Sequence, residues 1–314
     1  MNQQISIILN QIGIFVILMS LGFGFMKGKI LDKISLRGIS VMLMKLLMPI
    51  TTFYVIYESG ATIENLMENG IFFVIVAGLF TILLLIGMFL SKKLKMQNAE
   101  AIPFILYFVF SNNNFFGLPL ITSLFPNSVN SSINFSQHLI MDNLFLWTIG
   151  IYLCTKHLNE GNFWKHAKNS VNAMTIAVVL AFLMLAFKIE LPVMINGALK
   201  GFKEGSSSIA MFYVGCLLAN ADLKGIFKEK SFYALVFVKM IAVPILILVF
   251  LRSLLGAESA LLLAIMIGLP GKIMISIMVG TYELNDYYAA KLVFATTLVA
   301  LFTIPLITWI STVL

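Results

Sequence analysis

Residues 110–119 read Phe-Ser-Asn-Asn-Asn-Phe-Phe-Gly-Leu-Pro and place three consecutive amides inside an otherwise apolar run. Pro119 lacks a backbone donor and disfavours helix in the residue before it, and Gly117 lets the chain bend nearby. A related stretch, Ile-Gly-Leu-Pro-Gly-Lys, occupies residues 267–272, about half of the 314-residue chain later. We therefore predict that a helix unwinds at each of these two places.

The sequence around these stretches is too apolar for a soluble domain. Hydrophobic residues make up 60% of the chain and charged residues 11%. In lipid, every backbone polar group must be paired within the protein, so only helices or a closed barrel can span. The apolar runs are roughly twenty residues long, which is the length of a transmembrane helix. The Lys and Arg residues form short clusters between these runs, which does not favour nucleic-acid binding.

The apolar runs predict an all-α integral membrane protein with ten transmembrane helices. The predicted spans are residues 5–26, 36–57, 71–91, 101–124, 133–155, 171–187, 206–221, 232–251, 259–280 and 289–314. Residues 191–203, before the seventh span, are too few and too charged to cross alone. They are expected either to lie in the membrane interface or to extend the seventh helix.

Charge and repetition together predict the topology. Basic residues cluster in the segments 27–37, 92–95, 156–168 and 224–230, which lie on one side of the ten predicted spans. This side is assigned to the cytoplasm, so both termini are expected outside. Gly-Leu-Pro recurs in the fourth and ninth spans, which suggests two halves of five spans each. Because five is an odd number, the second half enters the membrane from the opposite side. We predict two inverted five-helix repeats, residues 1–160 and 161–314, with broken helices 4 and 9 that cross.

Unwound transmembrane segments line polar cavities, and the N-terminus of a half-helix offers free N–H groups and a positive dipole end. These features favour an anion, although a proline kink with packing glycines is the alternative for a single span. The predicted substrate-binding residues are Asn112, Asn113, Asn114, Gly117, Pro119, Gly268, Pro270, Gly271 and Lys272.

Four acidic or basic residues, Lys45, Asp142, Lys239 and Lys272, lie well away from the ends of the predicted spans, where a charge costs about 2.5 kcal/mol or more. Lys45 lies shortly after Arg37 and is interpreted as reaching the cytoplasmic interface. Lys272 either contributes charge at the second break or pairs with a freed carbonyl or with Asp142. Asp142 and Lys239 either neutralise each other or leave Asp142 as a proton-coupling group. Three cations against one anion favour an anionic substrate.

No sequence motif supports enzyme chemistry or ATP-driven transport. A phosphate-binding loop, a His-Glu-x-x-His zinc motif, a paired-cysteine motif and a serine nucleophile elbow are all missing from the sequence. We therefore expect no catalytic residue, no metal site and no cofactor.

The chain resembles the auxin efflux carrier family, which includes bacterial malate and malonate permeases and plant PIN-like carriers. The strongest match is residues 112–120, which are similar to the family signature Asn-x-x-(Phe/Met)-x-Gly-(Leu/Ile)-Pro-(Leu/Ile). Weaker matches are Lys-Leu-Leu-Met-Pro at 45–49, Asp-Asn-Leu at 142–144, Val-Gly-Cys-Leu-Leu-Ala at 214–219 and Thr-Ile-Pro-Leu at 303–306.

The resemblance implies ten helices divided into a scaffold and a moving transport part. It also implies that helices 4 and 9 cross near Pro119 and Pro270, with a substrate carboxylate beside Asn112. This chain departs from the family by having Gly271 and Lys272 after the second proline, where a small residue or a second proline is common. The added cation favours a substrate with a second carboxylate, such as malate.

These observations predict a secondary carrier of small di- or monocarboxylates in the cytoplasmic membrane, coupled to protons and working by alternating access. A sodium-coupled carrier of the bile-acid type and a membrane receptor that has lost transport are the alternatives. The expected partners are a carboxylate substrate, a proton or sodium ion and membrane lipid, with no nucleic acid. A homodimer is left open.

Overall fold

The computed structural model describes residues 3–59, 70–156, 173–220 and 225–314, and these ranges are helical with no strand. The α-helices, numbered here in chain order, are α1 (Gln3–Lys27), α2 (Lys33–Met42), α3 (Met48–Glu58), α4 (Gly70–Lys93), α5 (Asn98–Val109), α6 (Leu118–Leu124), α7 (Val129–Phe145), α8 (Ile151–Thr155), α9 (Ala173–Ala186), α10 (Val193–Asn220), α11 (Lys230–Ala234), α12 (Val243–Leu255), α13 (Ala257–Gly268), α14 (Ile273–Thr281) and α15 (Asp286–Val313).

Length and apolar composition confirm a multi-pass helical membrane protein. In the described ranges, six continuous helices are long and apolar enough to cross a bilayer, namely Ile5–Lys27, Ile34–Glu58, Gly70–Lys93, Val129–Thr155, Lys230–Leu255 and Asp286–Val313. Asn98–Val109, Ile176–Ala186 and Ala257–Gly268 are shorter apolar helices. Ten spans in two inverted repeats therefore stay a prediction. The repeat boundary at residues 160 and 161 lies outside the described residues.

The structure decides between the two alternatives for residues 191–203. Helix α10 runs without a break through Val193–Asn220, so this segment extends the seventh predicted span. A separate interfacial helix is the wrong alternative, because no residue between 193 and 220 interrupts the backbone hydrogen bonds. The last residue of that predicted span, residue 221, lies outside the described residues.

Wide π-helical turns precede three prolines. The turns Leu43–Leu47, Asn113–Gly117 and Leu235–Ala242 are followed by Pro49, Pro119 and Pro244, each in the first turn of the next α-helix. A proline ring inside an α-helix collides with the carbonyl four residues earlier, and a π-helical turn moves that carbonyl away. The predicted unwinding of the stretch 110–119 is thus confined to residues 110–112, because the wide turn at Asn113–Gly117 keeps the chain helical at Pro119.

Helices α1 and α10 cross at backbone contact distance. A Cβ atom on Gly22 would lie 1.9 Å from the Phe212 carbonyl oxygen, and one on Gly215 would lie 1.9 Å from the Met19 carbonyl oxygen. Backbone atoms of the opposite helix thus occupy the space that a side chain at each glycine would need. Small residues at a membrane helix interface allow this approach, which lets van der Waals packing stabilise the pair.

Polar contacts fix α7 against the start of α13. The hydroxyls of Ser128 and Ser131 donate hydrogen bonds to Glu258, and the amide of Asn134 donates to Ser259 Oγ at 2.8 Å. The two helices therefore meet at one end, and the polar face of α7 continues from there towards the two helix breaks.

Candidate functional site

The two interrupted helices meet where both are unwound. Phe110 is extended between α5 and the turn that precedes α6, and Leu269 and Lys272 are extended between α13 and α14. Ser111 and Gly271 form an isolated antiparallel bridge. The Asn112 N–H donates to the Pro270 carbonyl at 2.9 Å. The two breaks therefore meet, and each pairs backbone groups that the other leaves free.

Side chains complete this backbone pairing. Ser111 Oγ donates to the Ile267 carbonyl at 3.2 Å, and Thr296 Oγ1 of α15 accepts the Gly271 N–H at 3.2 Å. Both hydroxyls are buried. Because an unpaired backbone group in a membrane interior costs several kcal/mol, these bonds stabilise the unwound conformation.

Asp142 and Lys272 form an ion pair beside the crossing. Their side chains are 0% and 2% exposed. Asp142 comes from α7, and Lys272 is the residue immediately before α14. The amide of Asn113 donates to the other carboxylate oxygen, Oδ1, at 3.3 Å. The Lys272 charge is thus neutralised inside the protein and is not left free for a ligand.

Lys239 is a second buried ammonium at the crossing. It lies in the π-helical segment between α11 and α12, is 1% exposed, and donates to the Leu269 carbonyl at 3.3 Å. No described carboxylate lies within ion-pair distance of it. Asp142 and Lys239, whose pairing was one of the two sequence alternatives, do not form an ion pair. The crossing places the Lys272 ammonium against the carboxylate instead.

The three asparagines have different surroundings. Asn113 Nδ2 faces Asp142, and Asn114 Nδ2 donates to Thr52 Oγ1 of α3 at 2.7 Å. The side-chain carbonyl oxygens of Asn113 and Asn114 are buried and accept no hydrogen bond from the described residues. Asn112 is also buried and contributes its backbone N–H to the crossing.

The remaining predicted residues are distributed around this centre. A Cβ on Gly117 would lie 2.8 Å from Leu269 Cδ1, and a Cβ on Gly268 would lie 2.8 Å from Ile307 Cδ1. Gly117 thus packs closely against the second break, and Gly268 packs closely against α15. Lys45 is exposed on its π-helical turn and does not join the buried charges. The buried count at the crossing is therefore two cations to one anion, and not three to one.

The sequence analysis missed His138 and Thr52. His138 Nε2 lies 3.2 Å from Asn113 Nδ2, and its ring packs edge-on against Phe80. His138 and Asp142 are one helical turn apart on α7, in line with Asn134. This row of polar residues at spacings of four was the signal that could have indicated a polar face on α7.

Replacing Gly271 with alanine should destabilise the crossing. The new Cβ would lie 2.7 Å and 3.0 Å from two carbons of the buried Tyr107 ring, which is packed on all sides. Overpacking of this kind costs about 1–3 kcal/mol, so we expect a lower midpoint of thermal unfolding in detergent. Gly78→Ala is the control, because a Cβ there meets nothing within 4 Å. Equal midpoints for the two variants would contradict the tight contact.

The long apolar helices and the buried, polar crossing of two broken helices define a multi-pass membrane protein with an internal polar site. The family described as membrane transport protein, the auxin efflux carriers, matches residues 7–308. The chain belongs to this family and is a membrane transporter of the auxin efflux carrier type. No curated protein sequence is significantly similar to it.

Proposed function

We propose that this transporter is a secondary carrier of small organic anions, with di- or monocarboxylates such as malate as substrates. The observation that carries the proposal is the charge balance at the crossing. Two ammonium groups and one carboxylate are buried there, and Lys239 has no described carboxylate partner. A buried cation is costly unless it is paired, so an anionic ligand at Lys239 would balance the site.

The proposed architecture is ten membrane helices in two inverted repeats, residues 1–160 and 161–314, with both termini outside the cytoplasmic membrane. The two breaks lie at corresponding places of the two halves, which supports this arrangement. One helical bundle would move against the other while the crossing holds the carboxylate. Alternating access would then expose the crossing to each side in turn.

The residues have distinct proposed roles. Lys239 would supply the charge for the substrate carboxylate, whereas Lys272 would serve as the counter-ion of Asp142. The backbone near Asn112 and the first turn of α14 would offer N–H donors, as the ends of half-helices do. Asp142 would couple transport to a proton. When the bundle moves, its carboxylate would leave the ion pair with Lys272 and bind a proton instead.

Sodium coupling is the second candidate, and a specific observation favours it. The carbonyl oxygens of Asn113 and Asn114 are buried acceptors with no donor among the described residues. Such oxygens are ligands for a hard cation. A sodium ion bound there would add a second net positive charge to the crossing, which a dicarboxylate would balance.

Uptake of labelled malate by purified protein in liposomes tests the proposal. We expect accumulation that depends on a pH gradient at fixed sodium and voltage, and no accumulation in protein-free liposomes. Accumulation that requires sodium at fixed pH would favour the second candidate. If no small carboxylate is taken up or exchanged under either gradient, the carrier proposal is wrong.

Replacing Lys239 with methionine should weaken substrate binding in this assay. Methionine keeps most of the side-chain volume and removes the charge. Because a hydrogen bond to a charged group contributes about 1.5–3 kcal/mol, the KM for uptake should rise by about tenfold or more. Lys200→Met is the control, since Lys200 lies on the exposed face of α10 beside Glu204. An unchanged KM in Lys239→Met would contradict a role for Lys239 in substrate binding.

A further inference from the structure

A cavity lies beside α6, the helix that follows the first break. It has a volume of about 260 Å³ and is lined by the end of α3, by α6, by the start of α7 and by Lys203 of α10. Leu118, which follows Gly117 of the crossing, is part of its wall. The cavity therefore adjoins the helix that follows the first break.

The cavity contains an ion pair between Lys203 and Glu58. The two partners are unequally buried, because the lysine side chain is 18% exposed and the glutamate side chain is 42% exposed. The ammonium also lies 5.6 Å from the centre of the Tyr54 ring. The cation is thus held in place, whereas its carboxylate partner is more exposed to solvent, which weakens the ion pair.

The other polar groups of the described cavity wall are mostly occupied. Thr122 Oγ1 donates to the Leu118 carbonyl, Ser132 Oγ donates to the Ser128 carbonyl, and Ser131 Oγ donates to Glu258. Within the described wall, Lys203 is the single cation and Glu58 the single anion. Any anion that enters would therefore compete with Glu58 for one ammonium group.

The link between α3 and α10 does not depend on Glu58. Thr51 Oγ1 donates to Ser206 Oγ at 3.0 Å, and Tyr54 Oη donates to the Asn196 side chain at 2.7 Å. These buried or half-buried bonds lie on either side of Lys203 along α10. Release of Glu58 would therefore leave the cavity in place.

We propose that this cavity is a second carboxylate-binding site, in which a small carboxylate replaces Glu58 on the Lys203 ammonium. The ligand is of the class assigned under the proposed function, on which the inference rests, but binding in the cavity is measurable without transport.

Protection of an introduced cysteine tests this site. Both native cysteines, Cys154 and Cys216, are buried, so Ser132→Cys at the cavity wall supplies the exposed thiol. The purified protein in detergent is labelled with a maleimide at increasing concentrations of malate. We expect malate to slow labelling, and erythritol, an uncharged molecule of similar length, to have no effect.

Three variants in the Ser132→Cys background separate the outcomes. Lys203→Met should raise the half-protective malate concentration by about tenfold or more, the value expected for a lost charge-assisted contact. Lys200→Met should leave it unchanged. Glu58→Gln should lower it severalfold, because the competing carboxylate is removed, and this opposite shift does not arise from poor folding.

Equal protection in Lys203→Met and Lys200→Met would overturn the proposal, as would equal protection by malate and erythritol. The same variants are also assayed for uptake in liposomes. Protection without uptake would support this site and contradict the carrier function. Uptake with no protection at any malate concentration would support the carrier function and contradict this site.

Discussion

Gly215→Ala should abolish the native packing of α1 against α10. The added Cβ would lie 1.9 Å from the Met19 carbonyl oxygen and 2.6 Å from its carbonyl carbon. These are backbone atoms in the middle of a helix, so no side-chain rotation relieves the contact. The helices must separate, and we expect the free energy of unfolding to fall by about 3 kcal/mol or more, which is the upper end of the range for overpacking.

The measurement is the midpoint of thermal unfolding together with the fraction of monodisperse protein in detergent. Gly201→Ala is a matched control on the same helix, because a Cβ at Gly201 meets nothing within 4 Å. In a helix, alanine is more favourable than glycine by up to about 1 kcal/mol, so the control should be neutral or stabilising. Gly22→Ala should behave like Gly215→Ala, since its Cβ would meet the Phe212 carbonyl oxygen. If Gly215→Ala and Gly201→Ala have the same midpoint, the close crossing is wrong.

Asp142→Asn should cause the largest loss among the charge variants. It removes the one described carboxylate at the crossing and leaves Lys272 and Lys239 as two buried ammonium groups. Breaking a buried ion pair from one side costs about 3–5 kcal/mol, because the remaining charge is uncompensated. We expect a lower unfolding midpoint and loss of uptake in the liposome assay.

A double-mutant cycle separates the ion pair from other effects of these substitutions. Adding Lys272→Met to Asp142→Asn removes the uncompensated charge, so much of the lost stability should return, with a coupling energy of about 2 kcal/mol or more. The control cycle uses Lys200 and Glu204, whose side chains are 54% and 63% exposed. Coupling there should stay below about 0.5 kcal/mol. Similar coupling in both cycles would contradict a buried pair at the crossing.

The sequence predicted the helical membrane class and the two helix breaks well, because these depend on local features. Apolar length, proline and glycine act on the residues around them, and the chain unwinds at 110–112 and 269–272, inside the two predicted stretches. The sequence could not indicate that a wide turn at Asn113–Gly117 would accommodate Pro119 within a helix. The ten-helix inverted repeat stays a prediction.

The sequence left the pairing within the site open, with Lys272 and Lys239 as alternative partners of Asp142. Asp142, Lys239 and Lys272 were all identified as buried charges, but the partner of the carboxylate depends on how α7 meets the residues before α14. Thr52, which holds Asn114, comes from α3 and has no sequence pattern that links it to the crossing.

The sequence itself determined that one helix is interrupted beside the three amides and another beside the second Gly-Leu-Pro stretch, because helix interruption is a property of the local backbone. Only the tertiary structure decided that the two breaks pair through Asn112 and Pro270, that Lys272 neutralises Asp142, and that Lys239 keeps an unbalanced charge. The reason is physical: in a membrane interior each polar group must find a partner, and which partner it finds depends on distances that only packed helices set.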